Sequence, residues 1–128
     1  MPSATIDIIT ETPQTGEFAL IIVEDGPWPD ENSDWSNCLS RIQSRIYNAM
    51  DIAIDGHLAA KYPDAKGRRV RIQIDSPRGI PKHLMQLISN LRNLLDQEKN
   101  EYHIAIKQSK FIQGLRIVTG YEMGSFQT

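Results

Sequence analysis

The chain has 128 residues, of which 14 are Lys or Arg and 16 are Asp or Glu, so its formal net charge is −2. This length suits one domain, residues 1–128, and the small negative charge argues against nucleic-acid binding over the whole surface. A single cysteine, Cys38, cannot form an intramolecular disulfide. With no leader-like amino terminus and no apolar run of roughly 18 residues, the sequence predicts a soluble cytoplasmic protein without a membrane segment.

The predicted secondary structure opens with a β-hairpin. Residues 5–10 and 17–23 are short and rich in β-branched side chains, which favour strands. Gly16 lies between them and suits a turn position with positive φ. The second of the two strands is more continuously apolar than the first, which indicates a central place in the sheet.

A long helix is predicted next, from about residue 37 to residue 62. Its apolar residues recur at intervals of three and four, which forms one stripe along a helix. Gly56 predicts a kink, or an end and a restart, in the second half. Pro63 must end the helical segment, because proline cannot continue it.

The second half of the chain alternates between strands and a helix. Residues 69–75 alternate strictly between apolar and polar side chains and predict a strand. A helix is predicted to begin near Pro81, where a missing N–H costs nothing, and to end around Asn100. Two further strands are predicted at residues 102–107 and 115–119.

The predicted order is therefore β-β-α-β-α-β-β, which favours an α+β fold, a two-layer α/β sandwich with a mixed sheet. Each helix has a single apolar stripe, so both helices are expected to lie on one face of that sheet. The unit from Arg69 to Lys107 should be a right-handed crossover between parallel strands. The other sheet face would be uncovered and basic. Its predicted side chains are Arg69, Arg71, Gln73, His103, Lys107 and Arg116.

The segment from Glu24 to Trp35 is the most unusual part of the composition. It holds five of the sixteen carboxylates and both tryptophans of the chain. Aromatic rings beside carboxylates are typical of a contact surface for a basic partner. The candidate partner-binding residues are Trp28, Asp30, Glu31, Asp34 and Trp35. In the alternative interpretation both tryptophans fold back over the sheet edge and close the core.

Signs of catalysis are weak. The sequence contains neither G-x-x-x-x-G-K-[ST] nor G-x-G-x-x-G nor G-x-S-x-G. Cys38 near a helix start could be a nucleophile with a histidine as base, but a small core residue is the simpler interpretation. The three histidines, His57, His83 and His103, lack the spacing of zinc ligands on a helix, and the acidic segment lacks the calcium-loop pattern. We therefore expect no enzyme activity, no metal site and no cofactor.

Several segments resemble a small bacterial family of uncharacterised single-domain proteins. They are Ile6-Asp7, residues 15–22, the helix around 42–55, and Lys-Tyr-Pro-Asp at 61–64 before the strand at Arg69. The resemblance covers roughly the first three quarters of the chain. It implies a stand-alone cytosolic domain without catalytic residues, in some members similar to immunity proteins that neutralise bacterial toxins. The Pro, Asn and Trp residues of the acidic segment depart from the family pattern.

The first functional hypothesis is a non-enzymatic cytoplasmic protein-binding module. In its most concrete form it is a bacterial immunity-type protein that docks its acidic segment on a partner with a basic surface. Trp28 and Trp35 would be the anchors, and Asp30, Glu31 and Asp34 would steer association.

The alternative hypothesis is a binder of an anionic ligand or nucleic acid on the basic sheet face. The residues concerned are Arg69, Arg71, His103, Lys107 and Arg116. Nucleic acid is the weaker form of this hypothesis, because only Tyr102 could stack on a base and it should point to the core. A second copy of the chain is a further candidate partner, since an uncovered sheet face or edge is often covered in a homodimer.

Overall fold

The computed structural model describes residues 6–123, so the start of the predicted first strand, at residue 5, lies outside the described residues. Along the chain the elements are β1 (Ile8–Glu11), β2 (Phe18–Val23), α1 (Ser36–Ile54), α2 (His57–Lys61), β3 (Arg68–Asp75), α3 (Lys82–Leu95), α4 (Glu101–Gln108) and β4 (Ile112–Thr119). One 3-10 turn, Pro63–Ala65, follows α2. None of the helices between residues 6 and 123 is long and apolar enough to cross a membrane.

The strands form one mixed sheet in the order β1-β2-β3-β4. β1 and β2 are antiparallel and form the predicted hairpin, in whose turn Gly16 N donates to Thr12 O at 2.7 Å. β2, β3 and β4 are parallel. Parallel neighbours need a crossover segment, and α1–α2 and α3–α4 supply the two crossovers. The carboxyl ends of β2 and β3 therefore meet at one end of the sheet, and their amino ends meet at the other.

The hydrophobic core lies between the helices and one face of the sheet. In β3 the predicted alternation is confirmed, because Val70, Ile72 and Ile74 are fully buried in this core. The helices contribute Ile42, Ile46, Met50, Leu58, Leu84 and Ile88 to the same cluster. Ala19 and Ile21 of β2 alternate with the core residues and lie on the opposite face. The α+β class and the two-layer arrangement, with helices on one face, are confirmed.

The predicted restart of the long helix occurs at Gly56. α1 ends at Ile54 and α2 begins at His57, and Gly56 between them has φ +94°. A Cβ added at Gly56 would lie 2.8 Å from ring carbons of Phe111. Only glycine fits both the left-handed backbone and this close approach, so the helical segment changes direction here.

The prediction of a strand at residues 102–107 is wrong, because this segment is helix α4. Asn100 caps the helix, and its side-chain Oδ1 accepts hydrogen bonds from the backbone N of Tyr102 at 2.9 Å and of His103 at 3.4 Å. An Asn in this position satisfies amides that have no partner inside the helix. The sheet therefore has four strands within the described chain, and the strand after α4 starts at Ile112, earlier than predicted.

The side-chain pattern of α4 explains the error. Tyr102, Ala105 and Ile106 pack against the core, whereas Ile104 is 41% exposed. Contacts at positions i, i+3 and i+4 belong to one face of a helix, whereas a strand would have placed Ile104 beside Tyr102 and Ile106. The Tyr102 hydroxyl donates to Asp51 Oδ1 at 3.0 Å, which ties α4 to α1.

Replacing Asn100 with Ala should lower the free energy of unfolding by about 1 kcal/mol, because the first amides of α4 lose their side-chain acceptor. Urea denaturation followed by circular dichroism measures this change. Asn93 is an exposed residue inside α3 and provides the matched control. Asn93→Ala should leave stability unchanged or raise it slightly, because alanine is the better helix former. Equal stability of the two variants would contradict the capping role.

Candidate functional site

The acidic segment, Glu24 to Trp35, folds back at the end of the sheet where β2 and β3 finish. Trp35 is only 6% exposed. Its indole Nε1 donates to the backbone O of Asp30 at 3.0 Å, which closes the segment on itself. Its ring stacks on His83 at the start of α3, with ring centroids 4.3 Å apart and planes 6° apart. Trp35 is therefore placed as the fold-back alternative describes, and it holds the segment against α3.

A groove opens between this segment and the amino end of α3. Trp28 is half-buried, and its ring lies nearly parallel to Trp35, with centroids 6.3 Å apart. The groove has a volume of about 370 Å³ and is lined by Trp28, Pro29, Glu31, Trp35, Pro81, Lys82 and His83. We call it the Trp groove. It lies at the carboxyl ends of β2 and β3, the end at which open α/β sheets commonly bind ligands.

The three predicted acids of this segment have different surroundings. Glu31 Oε1 lies 2.5 Å from Lys82 Nζ, and this contact lowers the pKa of Glu31. Asp34 Oδ1 accepts hydrogen bonds from Ser36 N at 2.9 Å and Ser36 Oγ at 2.6 Å, which lowers the pKa of Asp34 and stabilises the start of α1. Asp30 is exposed, and its carboxylate has no hydrogen bond or ion pair within residues 6–123. Asp30 is thus the acid with no internal role.

The carboxylate that anchors the segment, Glu24, is one that sequence reasoning missed. It is 3% exposed and receives two hydrogen bonds from Arg41, both at 3.0 Å, and one from Arg45 at 2.6 Å. Arg45 also reaches Asp7 Oδ2 at 2.8 Å. Arg41 and Arg45 lie four residues apart on one face of α1. That spacing of two basic residues is the sequence signal that could have identified their shared partner.

The predicted basic sheet face is assembled only in part. Three arginines lie on it, Arg69, Arg71 and Arg116. Arg71 and Arg116 are directly paired in the β3–β4 register, and Arg69 shares their face because it is two residues before Arg71 in β3. The prediction that His103 and Lys107 belong to this face is wrong, because both lie on helix α4. His103 Nδ1 instead lies 2.7 Å from Leu95 O.

A buried carboxylate also neutralises part of this face. Glu17 Oε1 accepts hydrogen bonds from Arg71 Nη1 at 2.9 Å and from Arg116 Nη2 at 2.8 Å, and its Oε2 accepts from Arg116 Nε at 2.9 Å. These bonds, that of Arg116 above all, hold the pKa of Glu17 below its ordinary value although burial opposes the shift. Arg71 is 8% exposed. It therefore stabilises the fold and is not available to a ligand.

The remaining candidate groups, Cys38 and the histidines, do not come together in one site within residues 6–123. Cys38 is half-buried and packs against the core, as the simpler interpretation predicts. His83 stacks on Trp35, and His57 is exposed at the start of α2. Within the part of the chain that the structure describes, no three His, Cys, Asp or Glu side chains are grouped as metal ligands.

The comparisons with known proteins place the chain in a family. The family described as "Family of unknown function (DUF6572)" matches residues 2–108. The chain belongs to this family. No curated protein and no solved structure matches it. The matched stretch of this DUF6572 chain contains the whole Trp groove, whereas β4 with Arg116 lies beyond it. The predicted resemblance to a family of uncharacterised proteins is confirmed by this match.

In this DUF6572 chain, Glu24→Gln should lower the free energy of unfolding by about 2 kcal/mol. The reason is that a neutral amide cannot satisfy the two guanidiniums that surround the buried carboxylate. Urea denaturation measures the effect. Glu98 is exposed and unpaired among the described residues, so Glu98→Gln is the matched control and should change stability little. If Glu24→Gln lowered the free energy of unfolding by no more than Glu98→Gln does, Glu24 would not anchor the segment.

The lowered pKa of Glu17 predicts an acid dependence of stability. A carboxyl group with a folded pKa below its unfolded value, here 4.5, stabilises the fold above that value. The contribution is lost as the pH falls through the folded pKa. Unfolding free energies measured between pH 6 and about 3 should therefore fall less steeply for Glu17→Gln than for the wild type. Glu98→Gln should keep the wild-type slope, and an equal slope for Glu17→Gln would rule out this role.

Proposed function

We propose that the chain is a non-enzymatic protein-binding module that holds a basic segment of a partner protein in the Trp groove. The observation that carries the proposal is the half-buried ring of Trp28, backed by Trp35, at the same end of the sheet as the carboxylate of Asp30, which has no partner among residues 6–123. The face of an indole ring attracts the ammonium of Lys or the guanidinium of Arg. A nearby carboxylate adds an ion pair, so this combination suits a cationic side chain.

The charges around the groove support a basic partner. The exposed acids of the acidic segment are Asp25, Asp30, Glu31 and Asp34, and the basic residues paired with members of this set are Arg78 and Lys82. The acids therefore exceed the bases by two charges. Such an excess attracts a basic protein from a distance and speeds association, more strongly at low salt.

The groove is also held in shape before a partner arrives. Trp35 Nε1 is bonded to Asp30 O, and Glu24 ties the start of the segment to α1. A wall that is already ordered loses less conformational entropy on binding. Trp28 Nε1 is buried and has no acceptor among residues 6–123. Because this atom is enclosed by the fold, Trp28 lines the groove with its ring carbons and not with its N–H.

In its most concrete form the proposal describes a bacterial immunity-type protein, with a basic toxin as the partner. The sequence resemblance and the acidic, aromatic groove support this form. Trp28 is the anchor, Asp30 steers association, and Glu31, Asp34 and Trp35 hold the surface in shape. The single free cysteine, Cys38, suits a reducing compartment such as the cytoplasm.

Affinity purification of the tagged protein from the lysate of its native cell, at low salt, should recover one stoichiometric basic protein. Trp28→Ala should weaken the purified complex by about 30-fold or more in Kd, as expected for an aromatic anchor. Asp30→Lys should slow association and reduce its dependence on salt, because it removes a steering charge. Surface plasmon resonance at two salt concentrations measures both effects.

The matched control is Asp64→Lys. Asp64 is an exposed acid in the Pro63–Ala65 turn, away from the Trp groove, and this variant makes the same change of charge. It should bind the partner as the wild type does. Equal slowing of association by the Asp30 and Asp64 variants would show that only net charge matters. Recovery of nothing but the protein itself would overturn the proposal.

A further inference from the structure

A second cavity lies at the end of the sheet opposite the Trp groove, where the parallel strands begin. Its volume is about 440 Å³. It is lined by Thr15, Gly16, Glu17, Arg68, Arg69, Gln113 and Arg116. We call it the arginine cavity. It shares no residue with the Trp groove, and the length of β3 separates the two.

Guanidiniums outnumber carboxylates at this cavity. The carboxylate of Glu17 is already bonded by Arg71 and Arg116. Arg69 is exposed and has no ion pair or hydrogen bond from its side chain among the described residues. Counted together, the guanidiniums are Arg68, Arg69, Arg71 and Arg116, and the carboxylates paired with them are Glu11 and Glu17. The excess of two positive charges matches a dianion.

Two of the cavity arginines are held in place by the fold. Arg68 Nη1 lies 3.3 Å from Gly16 O and 3.2 Å from Glu11 Oε2. Gly16 has φ +73°, and a Cβ at this position would lie 2.1 Å from Arg68 Nη1. Any larger residue would therefore displace the guanidinium. Arg116 is fixed by its two bonds to Glu17, although half of its side chain remains exposed.

The lining also restricts the chemistry of the ligand. Guanidinium groups present paired N–H donors that match the oxygens of phosphate. A phosphate monoester carries a charge of about −1.5 to −2 at neutral pH, which the excess positive charge balances. None of the described side chains that line the cavity is aromatic, so the lining offers no aromatic ring on which a nucleobase could stack. Gln113 instead offers an amide that can bond to hydroxyl groups.

We propose that the arginine cavity binds the phosphate group of a small hydrophilic phosphate monoester such as a sugar phosphate. The site is independent of the Trp groove. Arg69 supplies donors that no carboxylate of residues 6–123 occupies, Arg68 and Arg116 hold the other oxygens, and the remainder of the ligand lies along Gln113.

Isothermal titration of the purified chain with inorganic phosphate, at constant ionic strength, tests the proposal. Binding should saturate. Arg69→Gln should weaken it by at least about tenfold, equivalent to the loss of one hydrogen bond to a charged group. The matched control is Arg78→Gln, which removes the same charge from an exposed arginine at the opposite end of the sheet. This control should bind phosphate as the wild type does.

Two outcomes would overturn the site. One is the absence of saturable phosphate binding, and the other is equal weakening by Arg69→Gln and Arg78→Gln, which would indicate nonspecific attraction. Glucose 6-phosphate and AMP test the class of ligand. Glucose 6-phosphate should bind at least as tightly as inorganic phosphate, and tighter binding of AMP than of glucose 6-phosphate would overturn the assignment to a hydrophilic monoester. Arg69→Gln should still bind a protein partner in the Trp groove.

Discussion

The carboxyl end of the sheet depends on the buried carboxylate of Glu24. It lies directly after β2 and is bonded by Arg41 and Arg45 of α1. An ionised group at this depth requires partners of opposite charge, because water no longer solvates it. The ion pairs therefore set where the chain leaves the sheet and how α1 lies against β2. The closure of the acidic segment on Trp35, and with it the wall of the Trp groove, follows from that exit.

All helices of the described chain lie on one face of the sheet, and this placement determines what the opposite face contains. The other face of the sheet carries polar side chains beside Ala19 and Ile21, and there the fold buries Glu17 between Arg71 and Arg116. The single negative charge of Glu17 cancels only one of the two positive charges of Arg71 and Arg116, so this group has a net charge of +1. One end of the parallel strands thus becomes basic, while the acidic segment occupies the other end. Two surfaces of opposite charge result from one strand order, and the length of β3 separates them.

Most of the fold follows from local patterns in the sequence. The alternation in residues 69–75 and the apolar stripe of α1 each extend over several repeats. They therefore distinguish the two-residue period of a strand from the 3.6-residue period of a helix. Residues 102–107 are too few for this, since apolar side chains at 102, 104 and 106 fit a strand while those at 102, 105 and 106 fit a helix. The signal that decides for a helix is Asn100, a strong helix cap directly before α4.

The site was less predictable, because its contacts join distant parts of the chain. Trp35 is buried by His83, which is far away in sequence, and Glu17 is bonded to Arg116, 99 residues later. No local pattern encodes such pairs.

One of the buried rows along β3 has a direction. Arg71 Nε donates to Gln73 Oε1 at 2.8 Å, and Gln73 Nε2 donates to Asp75 Oδ1 at 2.8 Å. If the Gln73 amide were reversed, its NH₂ would face the Arg71 Nε–H and its oxygen would face the Asp75 carboxylate. The two neighbours therefore determine its orientation. The row begins at the guanidinium of Arg71, which is also paired with Glu17, and ends at the carboxylate of Asp75. Loss of any one of the three side chains would therefore leave a neighbour in the row without that hydrogen-bond partner.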